Sequence, residues 1–245
     1  MTPTTIATTA TARVKRPLTF TNSAPYFAAL FLLAVVAFWP SYLSTPGTAT
    51  GYMHFHAVAA ATWMLMLIVQ PLAVRNRRLG LHRALGRASY VIAPVVVISM
   101  VLLAHSRTRG VPPTELPGFY VPLSLTALFA LSYALAIATR RTTALHARFM
   151  VCTALTLIDP VVVRLLYWAY ATPGFRYQWI TFGLTDLVFL ALIWRERQTR
   201  AGRRVFPAML LVFALAQLVL LLDFHDVAPW RAFMNWFAAL PLTEG

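Results

Sequence analysis

Long apolar runs alternate with short polar gaps along most of the chain. Each run can cross about 30 Å of hydrocarbon as a helix of about 20 residues, which is the length that a bilayer requires. Pro112, Pro113, Pro117 and Pro173 lie in the gaps, where residues that interrupt helices are expected. The pattern predicts an all-α integral membrane bundle of seven transmembrane helices. Their predicted ranges are 25–44, 52–74, 88–105, 119–139, 146–170, 177–195 and 205–223.

The composition agrees with a membrane location. Of the 245 residues, 59% are hydrophobic and 11% are charged, whereas a soluble domain has about half and about a quarter. The formal net charge of +14 would fit a nucleic-acid partner in a soluble protein. Here the basic residues stand in the gaps between apolar runs, where they orient a membrane protein. We therefore expect the lipid bilayer as partner, with anionic headgroups at the basic gaps, and no nucleic acid.

Lys and Arg residues are divided unequally between the two sides of this bundle. With the N-terminus in the cytoplasm, the segments on the cytoplasmic side hold 16 of them and those on the periplasmic side hold 4. Cytoplasmic segments of membrane proteins carry the excess of basic residues. The count therefore predicts a cytoplasmic N-terminus and, with seven crossings, a periplasmic C-terminus. The basic cytoplasmic segments are 13–16, 75–87, 140–148 and 195–204.

Two segments flank the predicted seven-helix domain at 25–223. Residues 1–24 are basic and rich in threonine, which predicts a disordered cytoplasmic tail. Residues 224–245 carry aromatic side chains at roughly helical spacing, which predicts an amphipathic helix on the periplasmic membrane surface. These aromatic residues are Trp230, Phe233, Trp236 and Phe237.

The second predicted helix carries a polar and aromatic stripe. His56, Trp63 and Gln70 are spaced seven residues apart, so at about 100° per residue they share one face. His54 points almost the opposite way. Because an unpaired polar group that faces lipid costs several kcal/mol, we expect the stripe to face the bundle interior. There Trp63 and Gln70 either join helices or belong with His56 to a cofactor site.

Charged side chains occur inside the fifth and sixth predicted helices. Asp159 and Arg164 lie in the fifth and Asp186 in the sixth, with the two carboxylates at a similar depth. Charges within a membrane are costly and usually face a partner or a cavity. We therefore expect a buried charge network in which Arg164 pairs with Asp159, Asp186 or both. This network either locks helices together or marks an ion pathway.

Four histidines form two pairs at matched depths. His56 and His105 lie near the periplasmic surface, and His82 and His146 lie near the cytoplasmic surface. Paired imidazoles are the axial ligands of haem b in many membrane proteins. The sequence therefore predicts a redox cofactor such as haem b between the second, third and fifth helices. His82 lies in the predicted loop 75–87, whose arginines would meet the haem propionates.

Two other interpretations of the histidines stay open. Imidazole and carboxylate groups also suit zinc or copper, which predicts an alternative metal site near the periplasmic surface. On the cytoplasmic side, His82 and the neighbouring arginines would instead bind lipid phosphates, as any basic loop does. The ligands of the alternative metal site would come from His54, His56, His105, Asp223, His225 and Asp226.

The motif HRALGR at 82–87 follows a helix with His56, Trp63 and Gln70, and LHARFM at 145–150 opens the fifth helix. In these features the chain resembles uncharacterised bacterial multi-pass membrane proteins with a domain of unknown function. They share a histidine-led helix that is followed by an HR-x-LG motif. The resemblance implies a bacterial inner membrane. The paired histidines near both surfaces are also loosely similar to bis-histidine membrane cytochromes b, which hold their ligands within helices.

Three functional hypotheses follow from these features. The first is a membrane redox protein that binds a cofactor such as haem b. The second is a transporter or proton-coupled carrier that uses Asp159, Arg164 and Asp186. The third is a structural accessory subunit whose polar residues only hold helices together. The sequence contains no nucleotide-binding loop, no dinucleotide-binding glycine motif and no cysteine pair, so it indicates no soluble-enzyme reaction.

Cysteine labelling from the periplasmic side, in a Cys152→Ser background, measures the orientation. A cysteine at Thr114 is expected to react with an impermeant thiol reagent, because residues 106–118 are predicted to be periplasmic. A cysteine at Asn76, in the cytoplasmic segment 75–87, is expected to stay unlabelled until the membrane is opened. The opposite pattern would invert the predicted orientation.

Overall fold

The computed structural model describes residues 20–170, 177–223 and 226–243. Over these residues the chain is all-α and contains no β-strand. The α-helices are α1 Ala24–Phe38, α2 Gly51–Arg75, α3 Leu79–Thr108, α4 Tyr120–Ala138, α5 Thr143–Leu155, α6 Ile158–Tyr170, α7 Gln178–Glu196, α8 Val205–Leu221 and α9 Ala228–Ala239. Short helical turns extend or join them at Phe20–Asn22, Trp39–Leu43, Pro46–Thr48 and Leu116–Phe119.

Five segments of the described chain are long and apolar enough to span a membrane. α7 has 19 residues and α8 has 17, and they occupy the positions of the sixth and seventh predicted helices. The structure thus confirms an all-α fold with membrane-length apolar helices, and the count of seven crossings stays a prediction. The five segments are Phe20–Leu43, Gly51–Arg75, Leu79–Thr108, Leu116–Ala138 and Thr143–Tyr170.

The fifth predicted helix, 146–170, is divided into α5 and α6. The α-helix is interrupted at Thr156 and Leu157, just before Pro160. Proline has no N–H to donate to the carbonyl four residues earlier, and its ring crowds that carbonyl. In this chain the carbonyl belongs to Thr156, so the break includes the residue whose carbonyl Pro160 leaves without its helical hydrogen bond. α6 then begins with Asp159 in its first turn.

α3 begins earlier than the sequence predicts. Residues 75–87 are predicted to form a loop, but α3 starts at Leu79 and includes His82 in its first turn. Arg77 takes a left-handed conformation with φ 58° in the short turn between α2 and α3. From residue 79 onward the chain is rich in leucine and arginine, which favour a helix over a loop. The interpretation of His82 as a loop residue is therefore wrong.

The helices form a bundle in which sequence neighbours lie side by side. α2 contacts α1 and α3, α4 contacts α3 and α5, and α7 contacts α6 and α8. The bundle closes through contacts of α6 with α1 and of α8 with α5. One core surrounds Trp63 and Phe129. The other surrounds Phe189, Phe206 and Phe213.

The end of the bundle where α2 stops and α3 begins is named here the arginine-rich end. The turn at Phe20–Asn22 lies there, and the ring of Phe20 packs edge-on against Phe206 of α8 with centroids 6.1 Å apart. The packed structure therefore begins before the predicted domain boundary at residue 25. The rest of the predicted disordered tail, residues 1–19, lies outside the described residues.

The predicted amphipathic segment at the C-terminus contains α9. Met234 and Phe237 are buried against Leu116, and Nε1 of Trp230 donates a hydrogen bond to the carbonyl O of Pro117 at 3.1 Å. The opposite face leaves Trp236 58% exposed, as suits a helix that lies on a membrane surface. The end of the bundle that carries α9 is named here the tail end.

A buried ion pair joins α5 to the last residue of α7. Nε of Arg148 donates to Oε2 of Glu196 at 2.8 Å, and Nη2 lies 2.8 Å from Oε1. The two side chains are only 3% and 2% exposed. The hydrogen bond and the close ionic contact beside it orient the two side chains and compensate both charges. The pair therefore determines how α5 and α7 lie against each other at the arginine-rich end.

Gly202 completes the surroundings of this ion pair. Its φ of +76° is left-handed, and a Cβ atom at this position would lie 2.9 Å from Nη1 of Arg148. Only glycine avoids both the backbone strain and the collision. The turn between α7 and α8 therefore passes over the ion pair at Gly202, where the absence of a side chain leaves room for Arg148.

Replacing Arg148 by methionine alone is expected to lower the free energy of unfolding by about 3–5 kcal/mol, because Glu196 is left buried without a counter-charge. The double variant Arg148→Met/Glu196→Leu is expected to recover most of this loss, since neither charge remains. Reversible denaturation in mixed detergent micelles measures both values.

The exposed ion pair of Arg231 and Asp226, whose side chains are 57% and 45% exposed, provides the matched control. Solvent screens a pair of this kind, so Asp226→Asn is expected to change the free energy of unfolding little. A double Arg148/Glu196 variant as unstable as the single one would show that packing, and not charge, makes the buried pair important.

Candidate functional site

The stripe on α2 lies against neighbouring helices. Trp63 is fully buried, and its ring is edge-on to Phe129 and Tyr133 of α4 with centroids 5.0 and 5.5 Å away. The hydroxyl of Tyr133 lies 2.9 Å from the hydroxyl of Ser89 on α3. Ser89 donates its only hydroxyl hydrogen to the carbonyl O of Gly86, so Tyr133 is the donor. Trp63 is therefore enclosed where α2, α3 and α4 meet.

His82 and His146 both lie at the arginine-rich end. His82 lies in the first turn of α3 and His146 in the first turn of α5, and both turns are at this end. Nδ1 of His146 lies 2.9 Å from the carbonyl O of Ala136, and it is the donor because a carbonyl oxygen only accepts. The neutral ring thus has its lone pair on Nε2, as in metal-binding histidines. Nε2 of Gln70 donates to the carbonyl O of His82 at 3.4 Å. We name His82, His146 and Gln70 the histidine cluster.

Buried polar atoms without a hydrogen-bond partner concentrate at and beneath this cluster. Four of them are Nε1 of Trp63, Oε1 of Gln70, Nδ1 of His82 and Oγ of Ser132. The others within the described part of the chain are Nε2 of His105, on α3 at the tail end, and Oε1 of Glu196. Ser132 lies four residues before Ala136 and shares its face of α4. A buried polar atom left unpaired costs about 1–3 kcal/mol, and folded proteins contain few of them. These atoms therefore mark a region where a bound group would supply the missing partners.

His54 and His56 form hydrogen bonds with different side chains at the tail end. Nδ1 of His54 shares a hydrogen bond of 2.8 Å with the hydroxyl of Tyr42. Nδ1 of His56 lies 3.1 Å from Oγ of Ser99 on α3. Because Ser99 donates its hydrogen to the carbonyl O of Val96, His56 is the donor. The two rings therefore point to different elements, as their angular separation of about 200° on α2 requires.

His105 is fully buried beneath the C-terminal segment. Its Nδ1 shares a hydrogen bond of 2.7 Å with Oγ1 of Thr243, and its ring is edge-on to Phe237. Ser99, which binds His56, lies six residues before His105, and this separates the two levels by about 9 Å along α3. The structure therefore does not bring His56 and His105 together as a ligand pair.

The alternative metal site has no complete ligand set within the described residues. Over that part of the chain, no three His, Cys, Asp or Glu side chains are grouped so that they could hold a metal ion. Asp226 contacts Arg231 at 2.6 Å, and Asp223 follows α8 in a left-handed conformation with φ 55°. His225 lies outside the described residues. The zinc or copper site stays a prediction that rests on the sequence.

Asp159 and Asp186 each accept a hydrogen bond from an uncharged side chain. The hydroxyl of Thr181 on α7 donates to Oδ1 of Asp159. Nε2 of Gln217 on α8 donates to Oδ1 of Asp186 at 3.1 Å. These bonds join α6 to α7 and α7 to α8. The sequence interpretation missed Gln217, although an amide in an apolar helix is as distinctive there as Gln70 is in α2.

Arg164 forms no ion pair with a described carboxylate. Nη1 donates to the carbonyl O of Pro160 at 2.8 Å, and Cζ lies 4.2 Å from the centroid of the Phe38 ring. A guanidinium over an aromatic ring is stabilised by the negative ring face. Arg164 thus faces α1, whereas Asp159 and Asp186 bind side chains of α7 and α8. The predicted direct pairing of Arg164 with these aspartates is therefore not formed.

No protein family model, no curated protein and no solved structure matches this chain. Its function is therefore inferred from the chemistry of its own side chains.

The variants Arg164→Met and Asp186→Asn are expected to change the free energy of unfolding additively, within about 0.5 kcal/mol, because the two side chains share no contact or partner. A double-mutant cycle in detergent micelles measures the coupling. The pair Arg164 and Asp159 provides the comparison, since both residues lie on α6, five positions apart. Strong coupling of Arg164 to Asp186, above about 1.5 kcal/mol, would contradict the separate partners described above.

Proposed function

We propose that this chain is a multi-pass protein of a bacterial inner membrane, with its arginine-rich end in the cytoplasm. The membrane-length apolar helices support the membrane location. The packing of α7 and α8 against the other helices supports seven crossings. The excess of Lys and Arg at one end supports the orientation, and exposed arginines at that end suit anionic lipid headgroups.

We propose further that the histidine cluster binds a redox cofactor, haem b, between α2, α3 and α5. The observation that carries this proposal is the placement of His82 and His146 in the first turns of two helices at the same end of the bundle, with unpartnered polar atoms on Gln70 and His82. Two histidines from two helices are the usual axial ligands of a membrane haem b. Because α3 already begins at Leu79, His82 is held by a helix and not by a loop.

The donor set fits haem better than a metal ion bound by protein side chains alone. The porphyrin supplies four nitrogen ligands, so a histidine pair completes the iron coordination. Zinc and copper sites take three or four ligands from the protein, and the described residues offer no group of three. Nε2 of His146 is free to bind, because Nδ1 uses its hydrogen on Ala136.

Charge and hydrogen bonding suit the rest of the haem. Its propionates are anionic, and Arg75, Arg83 and Arg87 are exposed at the same end of the bundle. Oε1 of Gln70 and Nε1 of Trp63 are polar atoms that a bound group would partner. When bound, haem b would supply reversible one-electron transfer. The side chains of this chain would hold it and set its potential through burial and hydrogen bonding.

The absorption spectrum of the full chain, purified from cells supplied with a haem precursor, tests this proposal. A Soret band that shifts on reduction is expected, with about one haem per chain. His82→Ala and His146→Ala are each expected to remove most of the band, because each removes one axial ligand. Circular dichroism of the same samples checks that the helices are retained.

His54→Ala is the matched control, because His54 is a helical histidine at the other end that bonds Tyr42. It is expected to keep the full haem content. A folded chain that binds no haem, or one whose haem depends on His54 and not on His146, would refute the assignment. The accessory-subunit hypothesis would then be preferred.

A further inference from the structure

A cavity lies between α4, α7 and α8 beside the break that separates α5 from α6. It measures about 320 Å³ with its open mouth, and its enclosed part has room for about one water-sized molecule. Its polar lining comes from four side chains on four helices. These are Ser124, Asp159, Thr185 and Gln217. The cavity shares no residue with the histidine cluster, and its lining residue Leu155 lies nine residues after His146 on α5.

The lining of this cavity offers oxygen acceptors and few donors. The hydroxyl of Ser124 donates its hydrogen to the carbonyl O of Val121 at 2.9 Å. The hydroxyl of Thr185 donates to the carbonyl O of Thr181 at 2.9 Å. Each hydroxyl oxygen therefore has only lone pairs left for an occupant. An acceptor-rich lining of this kind favours a cation or a hydrogen-bond donor over an anion.

Asp159 is the ionisable group of the lining. It is 4% exposed, and its Oδ1 accepts from Thr181, which leaves Oδ2 for an occupant. Arg164 lies five residues further along α6, where its guanidinium donates to the carbonyl O of Pro160 and forms no ion pair with a described carboxylate. Asp186 on α7 is bound to Gln217 at the cavity wall. The lining residues of α4, α5 and α8 carry no charge.

The broken helix adds to this picture. Leu155, the last residue of α5, and Asp159, in the first turn of α6, both line the cavity. Interrupted membrane helices in transporters are where Na⁺ and protons bind, because the break brings polar groups to a buried site. Here Pro160 causes the break and Asp159 supplies the charge.

We propose that Asp159 binds a single small cation, a proton or Na⁺, in this cavity. In the proton case one O–H bond forms on the carboxylate, the proton comes from water, and the same bond breaks on release. In the Na⁺ case the ion exchanges hydration water for the oxygen atoms of the lining. The enclosed space excludes organic cations. Such a site is what a cation-coupled carrier requires, and it is independent of haem binding.

Perfusion infrared spectroscopy of the full chain in lipid tests this proposal. One series changes pH at constant Na⁺ concentration, and the other changes Na⁺ at constant pH, with a bulky organic cation as replacement. The expected result is a carboxyl carbonyl band that responds to at least one series and is lost in Asp159→Asn. A response to pH alone assigns the site to a proton, and a response to Na⁺ at constant pH assigns it to Na⁺.

Asp159→Asn is nearly isosteric and still accepts the hydrogen bond of Thr181, so the fold is expected to persist. Ala216→Leu, which fills the cavity without removing a charge, is a second variant and is expected to abolish the response. Glu115→Gln, an exposed carboxylate in the loop before α4, is the control and is expected to keep it. No ion-dependent carboxyl band, or one that survives Asp159→Asn or moves with Asp186→Asn, would overturn the proposal.

Discussion

The buried ion pair of Arg148 and Glu196 is the contact on which the second half of the bundle depends. Neither charge can be buried without the other, because an uncompensated buried charge costs several kcal/mol. Since the guanidinium contacts both carboxylate oxygens, α5 and α7 have one favourable relative position. His146 lies two residues before Arg148 on the same helix. The ion pair therefore also helps to determine the level of His146 in the bundle.

The interruption of the fifth helix gives one segment two roles. α5 carries His146 toward the arginine-rich end, and α6 begins with Asp159 beside the cavity. An unbroken helix would have one straight axis and one continuous face. The carbonyl of Thr156 receives no hydrogen bond from Pro160, so the segment can change direction between the two sites. The break thus lies between His146, near the start of α5, and Asp159 in the first turn of α6.

Most hydroxyl groups of the bundle bond the carbonyl of their own helix, as Ser99 does with Val96 and Thr185 with Thr181. Such bonds satisfy a hydroxyl inside a membrane without any partner helix. Nδ1 of His82 and Nε1 of Trp63 have no comparable local acceptor or donor, and they stay unpartnered. Such unpartnered atoms are exceptions among the buried polar groups of the described residues.

The sequence by itself determined the helices and their approximate order, because apolar runs of membrane length leave the backbone only one way to satisfy its polar groups. It also indicated which face of α2 is polar, since helical periodicity alone decides that. Only the tertiary structure decided the partners. Arg164 turns to Phe38 and not to a carboxylate, and Glu196 pairs with Arg148 across 48 residues of sequence. Such choices depend on how helices rotate and cross, and no local pattern in the chain encodes that geometry.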